Sequence, residues 1–252
     1  MKHGKILLGL IGFPLSHSWS ADFYNEKFRL DGDTHKEYRL FPLISIDEFP
    51  GLLAKYPELC GLNVTIPYKE KIIPFLDDLD DTARSIGAVN TVTIDRTNGM
   101  IHTKGFNTDA PGFLQTIRNL AITGPALILG TGGAAKAVAF ILKNINIPFH
   151  FVSRKTKGEN MISYDDLTSE IILDHPFIIN ATPAGMYPDT AGAPPIPYQV
   201  LTTDHLLYDL IYNPEVTEFM KRGMARKARV MNGKQMLLNQ AELSRQILLG
   251  KV

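Results

Sequence analysis

The sharpest run of chemically suggestive residues is Ala126-Leu127-Ile128-Leu129-Gly130-Thr131-Gly132-Gly133-Ala134-Ala135-Lys136. An apolar strand passes directly into Gly-x-Gly-x-x-Ala, and a helix follows. Gly130 permits a tight turn, Gly132 lets the main chain approach a pyrophosphate, and Ala135 lets the helix lie close to the strand. Gly133 leads into that helix and Ala134 opens it; its first N–H groups offer a phosphate both donors and partial positive charge. A glycine turn that holds no ligand is the plain alternative; the strand before and the helix after favour a dinucleotide. The next strand, Phe149-His150-Phe151-Val152, ends in Ser153-Arg154-Lys155. An NAD site usually places a carboxylate there for the ribose hydroxyls. Arg154 can instead grip a 2′-phosphate in a bidentate way, so NADP is expected over NAD. A solvated basic strand end is the competing reading.

Four segments before this loop are unusually polar for strand and loop ends. They are Gly12-Phe13-Pro14-Leu15-Ser16-His17-Ser18-Trp19-Ser20, Asn63-Val64-Thr65-Ile66-Pro67-Tyr68-Lys69, Gly87-Ala88-Val89-Asn90-Thr91 and Gly105-Phe106-Asn107-Thr108-Asp109. Singly, each has an ordinary explanation. Ser18 or Ser20 can cap a helix, Lys69 can be a surface cation, Asn90 a turn residue and Asp109 a helix cap. Together, hydroxyls, amides, a lysine and an aspartate suit a small polyhydroxylated acid. Hydroxyls hold its carboxylate, amides read its ring hydroxyls, and a Lys–Asp pair can sit at the reacting carbon.

The elements that must position these groups follow from apolar runs and turn signals. Strands are expected at Ile6 to Ile11, Tyr38 to Leu43 and Cys60 to Ile66. Helices are expected at Ser18 to Leu30, at Ile46 to Tyr56 with Pro50 and Gly51 in its first turn or at a break, and at Tyr68 to Leu76, interrupted by Pro74. Ala88 to Ile94 and Met100 to Lys104 flank the turn Arg96-Thr97-Asn98-Gly99 as a hairpin. From Asp109 the rhythm becomes β-α-β. A helix from Asp109 to Leu120 has Pro111 in its first turn, and Ala134 to Asn144 forms another. Strands follow at Pro125 to Leu129, Pro148 to Val152, Phe177 to Asn180 and His205 to Leu210. That order predicts a parallel sheet covered by helices. Lys234 to Leu249 forms an amphipathic tail helix, and Lys221 to Arg229 reads as a solvated basic helix face.

Composition narrows the partners. The 252 residues are 44% hydrophobic and 21% charged, with a formal net charge of +0. Such a balance sets up no global field for nucleic acid or an anionic membrane. One cysteine, Cys60, excludes an internal disulfide, and the seven histidines show no ligand spacing, so no metal is expected. Met1 to Leu10 lacks the features of a signal peptide, and no run reaches membrane-spanning length. A cytoplasmic protein is expected.

The ordered motifs resemble those of the shikimate dehydrogenase family along nearly the full length. Beyond the segments above they include Asn180-Ala181-Thr182, Tyr208-Asp209-Leu210-Ile211-Tyr212-Asn213-Pro214 and Asn232-Gly233-Lys234-Gln235-Met236-Leu237-Leu238-Asn239-Gln240. Ala21, Phe106, Ser153 and Lys155 depart from the family's usual residues. The resemblance implies an N-terminal α/β substrate domain plus a Rossmann-like doubly wound NADP-binding domain, with a cleft between them. Residues 1–108 with 233–252 would form the first, and 109–232 the second. The implied activity is reversible NADPH-dependent reduction of 3-dehydroshikimate to shikimate, on the route to chorismate and aromatic amino acids, by a monomer or homodimer. Lys69 and Asp109 would be catalytic. Ser18 and Ser20 would bind the substrate carboxylate, Thr65, Asn90 and Gln240 its ring hydroxyls together with Asp109, and Tyr212 would close over it. Gly130, Gly132, Gly133, Ala134, Ala135, Ser153, Arg154 and Lys155 would hold the cofactor phosphates, Thr182 would lie near adenosine, and Gly233 and Met236 near nicotinamide. Competing readings are a quinate-using enzyme, a non-catalytic NADP-binding regulator, and a folate dehydrogenase sharing only the glycine loop.

Overall fold

Strand β1 (Ile6–Gly12) lies between two parallel neighbours, β2 (Lys36–Pro42) and β3 (Leu59–Val64). A parallel strand with both faces covered has no solvent side, so its sequence is a continuous apolar run instead of an alternation. Leu7, Leu8, Leu10 and Ile11 are accordingly buried. The computed structural model describes residues 6–15, 19–155, 158 and 160–251. Ser18, with Ser16 and His17 of its motif, lies outside the described residues.

Helix α1 (Trp19–Leu30) buries Tyr24 and Phe28, one turn apart on one face. Helix α2 (Phe49–Lys55) follows a 3-10 turn at Ile46–Glu48 that is closed by a Ser45/Glu48 capping box. Pro50 falls in the first turn of α2, where its missing N–H costs no helical bond. After β3 come β4 (Asp78–Leu79), α3 (Asp81–Ile86), β5 (Thr91–Asp95) and β6 (His102–Phe106). The first sheet runs β2-β1-β3-β5-β6-β4. The hairpin of β5 and β6 is antiparallel and closed by a 3-10 turn at Thr97–Gly99, with β6 starting later than Met100.

The helix expected over Tyr68 to Leu76 does not form; only a 3-10 turn at Ile73–Phe75 is present. Pro74 supplies no N–H to an α-turn. The Lys69 carbonyl also accepts from Val89 N–H at 2.7 Å, so it is committed to another segment. This bond ties the turn after β3 to the segment before β5.

Gly9 shows how tightly the first sheet is packed. A Cβ there would lie 2.6 Å from the Arg39 carbonyl oxygen and inside contact distance of the Phe41 ring. Gly9→Ala is expected to cost about 2–3 kcal/mol by overpacking, read as a lower thermal midpoint. A midpoint equal to the parent's would show that the neighbouring strand yields freely.

The second sheet is built from β7 (Ala126–Leu129), β8 (Phe149–Ser153), β9 (Met161–Ser163), β10 (Phe177–Asn180), β11 (Leu206–Asp209) and β12 (Arg229–Met231). Every pairing is parallel, in the order β12-β11-β10-β7-β8-β9. The unit's first strand, β7, is central; the second and third continue to one side, and the fourth to sixth to the other. That is the doubly wound nucleotide-binding order, and it puts a switch point between β7 and β10. The helices of this part are α4 (Asp109–Ile117), α5 (Gly133–Asn144), α6 (Ser169–Asp174), α7 (Glu218–Ala225) and the start of α8 (Lys234–Leu248). The basic stretch at 221–229 is not one helix face: α7 ends at Ala225, Lys227 turns with φ 61°, and Arg229 opens β12.

The chain divides into two compact units, 1–108 with 241–252, and 109–240. The return to the first unit falls between Gln240 and Ala241 instead of ahead of Gly233. The start of α8 packs in the second unit, where Asn239 Nδ2 donates to the Gly112 carbonyl at 3.2 Å. Its end packs in the first, where Tyr24 donates to the Ala241 carbonyl at 2.9 Å. Among the described residues no helix is long and apolar enough to cross a membrane.

Candidate active site

In the second unit, the glycine turn sits at the carboxyl ends of three strands. Gly130 N–H donates to the Val152 carbonyl at 2.8 Å, and Ala181 N–H donates to the Leu129 carbonyl at 2.9 Å. These bonds place the turn between β8 and β10. Gly130 has φ 105°, in the left-handed region that only glycine adopts without strain. A Cβ there would also press on Ala181 and on the Thr182 methyl at 3.1 Å. Gly132 precedes α5 as its cap, in extended conformation and with no side chain bonding the first N–H groups. A Cβ on Gly132 would meet nothing within 4 Å, so the open space at this turn suits a phosphate. Gly133 and Ala134 form the first turn of α5, and Ala135 is fully buried against the unit's core.

At the end of β8, Ser153 Oγ accepts from Lys155 N–H at 3.3 Å, and Arg154 and Lys155 are exposed. Burial pushes the Tyr164 hydroxyl pKa up to about 12, with the charge of Arg154 pulling the other way. The donor set at this strand end is cationic and matches a 2′-phosphate.

The loops after β10 and β11 share one anchor. Asp209 is fully buried and paired in register with Asn180. Its Oδ1 accepts from Asn180 Nδ2 at 3.1 Å and Ile211 N–H at 3.0 Å, and its Oδ2 accepts from Thr217 Oγ1 at 2.6 Å. Burial raises the Asp209 pKa, while the bonds from Thr217, Ile211 and Asn180 oppose the rise. Asn180 Oδ1 in turn accepts from Thr182 N–H at 3.0 Å and Thr182 Oγ1 at 2.6 Å. Thr182 therefore turns its hydroxyl inward and its methyl toward Gly130. Tyr212 follows Ile211 and is partly exposed, with burial raising its hydroxyl pKa. Gly233 N–H donates to the Ile211 carbonyl at 2.9 Å, and a Cβ on Gly233 would fall on the Leu210 carbonyl. Close packing alone therefore demands that glycine. Met236 is buried, and Gln240 Nε2 donates to the Leu237 carbonyl at 3.0 Å. Asp109 is only 5% exposed and lies in the first turn of α4.

In the first unit, Thr65, Lys69 and Asn90 are brought together through the main chain. Val64 N–H donates to the Asn90 carbonyl at 2.9 Å, and Val89 N–H to the Lys69 carbonyl at 2.7 Å. The Asn90 amide is set by Thr108: its Nδ2 donates to Thr108 Oγ1 at 2.8 Å and its Oδ1 accepts from Thr108 N–H at 2.8 Å. Beneath lies a buried network that sequence reasoning did not assign. Asn63 Oδ1 accepts from Tyr38 at 2.9 Å, and its Nδ2 donates to Ser244 Oγ at 3.0 Å. Ser244 Oγ also lies 2.5 Å from Thr91 Oγ1 and 2.9 Å from Thr108 Oγ1. Asn63, Thr91 and Thr108 stand in the polar motifs, but Ser244 is an unremarkable serine on an amphipathic helix and Tyr38 opens an expected strand. No local signal marks either. Ser20 is the second residue of α1 and half-buried.

A doubly wound sheet with an open glycine turn and a cationic strand end, joined in one chain to an α/β unit lined with amides and hydroxyls, defines a dinucleotide-dependent oxidoreductase. The family model described as "Shikimate dehydrogenase substrate binding domain" matches residues 10–92. The chain belongs to the shikimate dehydrogenase family. It is 35% identical to shikimate dehydrogenase (NADP(+)) of Methanosphaera stadtmanae, over 98% of this chain and 93% of that one. Its structure matches that of shikimate dehydrogenase 1 from Peptoclostridium difficile with a TM-score of 0.85 at 34% identity, covering 97% and 92% of the two chains. It also matches shikimate 5-dehydrogenase from Thermus thermophilus in complex with NADP(H) and shikimate, with a TM-score of 0.83 at 29% identity over 97% and 94%.

Proposed function

We propose that this chain is an NADP-dependent shikimate dehydrogenase, interconverting 3-dehydroshikimate and shikimate on the route to chorismate and aromatic amino acids. The observation that carries the reading is the match to relatives of that name over nearly the whole chain. Residues 1–108 with the end of α8 take the substrate, and the doubly wound unit takes the dinucleotide. Bound NADPH supplies the hydride. The residues of this chain do the rest. Ser18 and Ser20 hold the substrate carboxylate, while Thr65, Asn90 and Gln240 bond its ring hydroxyls. Lys69, as an ammonium, stabilises the negative charge growing on the ketone oxygen and delivers a proton to it; in the reverse direction it accepts that proton. Asp109 bonds a ring hydroxyl of the substrate. Tyr212 covers the substrate, and Gly233 and Met236 shape the nicotinamide end. Arg154 and Lys155 select the 2′-phosphate, with Ser153 beside them. The enzyme works in the cytoplasm as a monomer or homodimer.

The test is NADPH formation from shikimate, followed by absorbance and repeated with NAD and with quinate. The expected result is a kcat/KM for shikimate and NADP that exceeds both other combinations. Quinate contains one more hydroxyl, on the carboxylate-bearing carbon, and preferred turnover of quinate would overturn the substrate assignment. No turnover of either acid would leave a binding protein.

A further inference from the structure

We infer that Asp209 is a positioning residue for both ligands, because a single buried carboxylate fixes the loop that carries Thr182 and the loop that carries Tyr212. The inference rests on the functional reading above, in which Thr182 borders the cofactor and Tyr212 the substrate. Asp209 and Asn180 end adjacent parallel strands, β11 and β10, on opposite sides of one register pair. Everything facing the Asp209 carboxylate is a donor. Ile211 contributes its N–H. Asn180 presents Nδ2, because its Oδ1 already accepts from Thr182 N–H and Oγ1. Thr217 Oγ1 donates to Oδ2, since a carboxylate oxygen can only accept, and the same oxygen takes Met220 N–H at 3.3 Å as the cap of α7.

Only a side chain that accepts at both oxygens satisfies this set. An asparagine at 209 turns an NH2 either toward the Asn180–Ile211 pair, setting buried donors face to face, or toward Thr217, whose buried hydroxyl then loses its acceptor. The disturbance then travels along two short paths. One passes through Asn180 to Thr182, whose methyl borders Gly130. The other passes through Ile211 to Tyr212 and to Gly233, which bonds the Ile211 carbonyl. Tyr187 N–H also donates to the Asn213 carbonyl at 3.1 Å, so the two loops are joined once more beyond the carboxylate.

The experiment measures KM for shikimate, KM for NADP and kcat on full-length Asp209→Asn, Thr217→Val and Thr217→Ser. A merely structural role lowers the active fraction and the melting temperature but leaves the KM values of folded molecules alone. A positioning role raises both KM values, by about tenfold in Asp209→Asn and about threefold in Thr217→Val. Thr217→Ser keeps the donor and stays within about twofold of the parent. Folded Asp209→Asn with parental KM values overturns the inference, and so does a rise in only one of them. If Asp209→Asn does not fold, the threonine pair decides: Thr217→Val indistinguishable from Thr217→Ser overturns it. A parent enzyme inactive with shikimate and NADP sinks the functional reading instead, and that outcome is separate.

Discussion

Replacing Lys69 with alanine lowers kcat by about two to four orders of magnitude and leaves the dissociation constant for NADP unchanged, as expected for loss of a positioned proton donor. The fold tolerates the change because the link between this turn and the segment before β5 is made by the Lys69 main-chain carbonyl and Val89 N–H. That bond survives any side-chain truncation. Lys69 stands in the first unit, apart in sequence from the glycine turn, so cofactor affinity has no reason to follow it. Lys69→Arg restores little activity. A guanidinium supplies positive charge but does not give up its proton in the working pH range. The measurement is steady-state kinetics together with calorimetric titration of NADP. A fall in NADP affinity as large as the fall in kcat would show that Lys69 supports the fold and not the chemistry.

Replacing Arg154 with aspartate raises KM for NADP by about a hundredfold, equivalent to about 3 kcal/mol, and leaves KM for NAD unchanged or lower. The loss combines a bidentate phosphate contact with the repulsion a carboxylate brings. Lys155 remains as a neighbouring cation and keeps the effect from growing further. Arg154 is exposed, so its substitution is not expected to disturb the core. The comparison to make is kcat/KM for the two dinucleotides in parent and variant. An NADP KM within threefold of the parent's would mean that another group holds the phosphate.

Much of the fold was legible because its signals are local. The parallel sheet of the second unit announces itself through apolar runs separated by helices, and α5 through the glycines that precede it. The features that escaped are short or made by distant partners. Segments such as β4, α3, β9, α6 and β12 contain too few residues to display a full period, and the short strands exist because a neighbouring strand pairs with them. The expected helix after β3 failed for a similar reason. Its sequence tolerates a helix apart from Pro74, but Val89 reaches across and takes the Lys69 carbonyl.

By itself the sequence determined which residues can do chemistry, the glycine turn with its dinucleotide, the cationic strand end and the family. These are properties of residue type and spacing, which a linear chain carries completely. Tertiary structure alone decided what holds those residues in place. Ser244 meets Asn63 across 181 positions, and Asp209 meets Asn180 across 29. Buried polar atoms must find partners wherever folding brings them, and the partner that satisfies them is a fact of three-dimensional packing. It also settled that the second crossing between units falls within α8, because successive turns of one helix find their packing partners in different units.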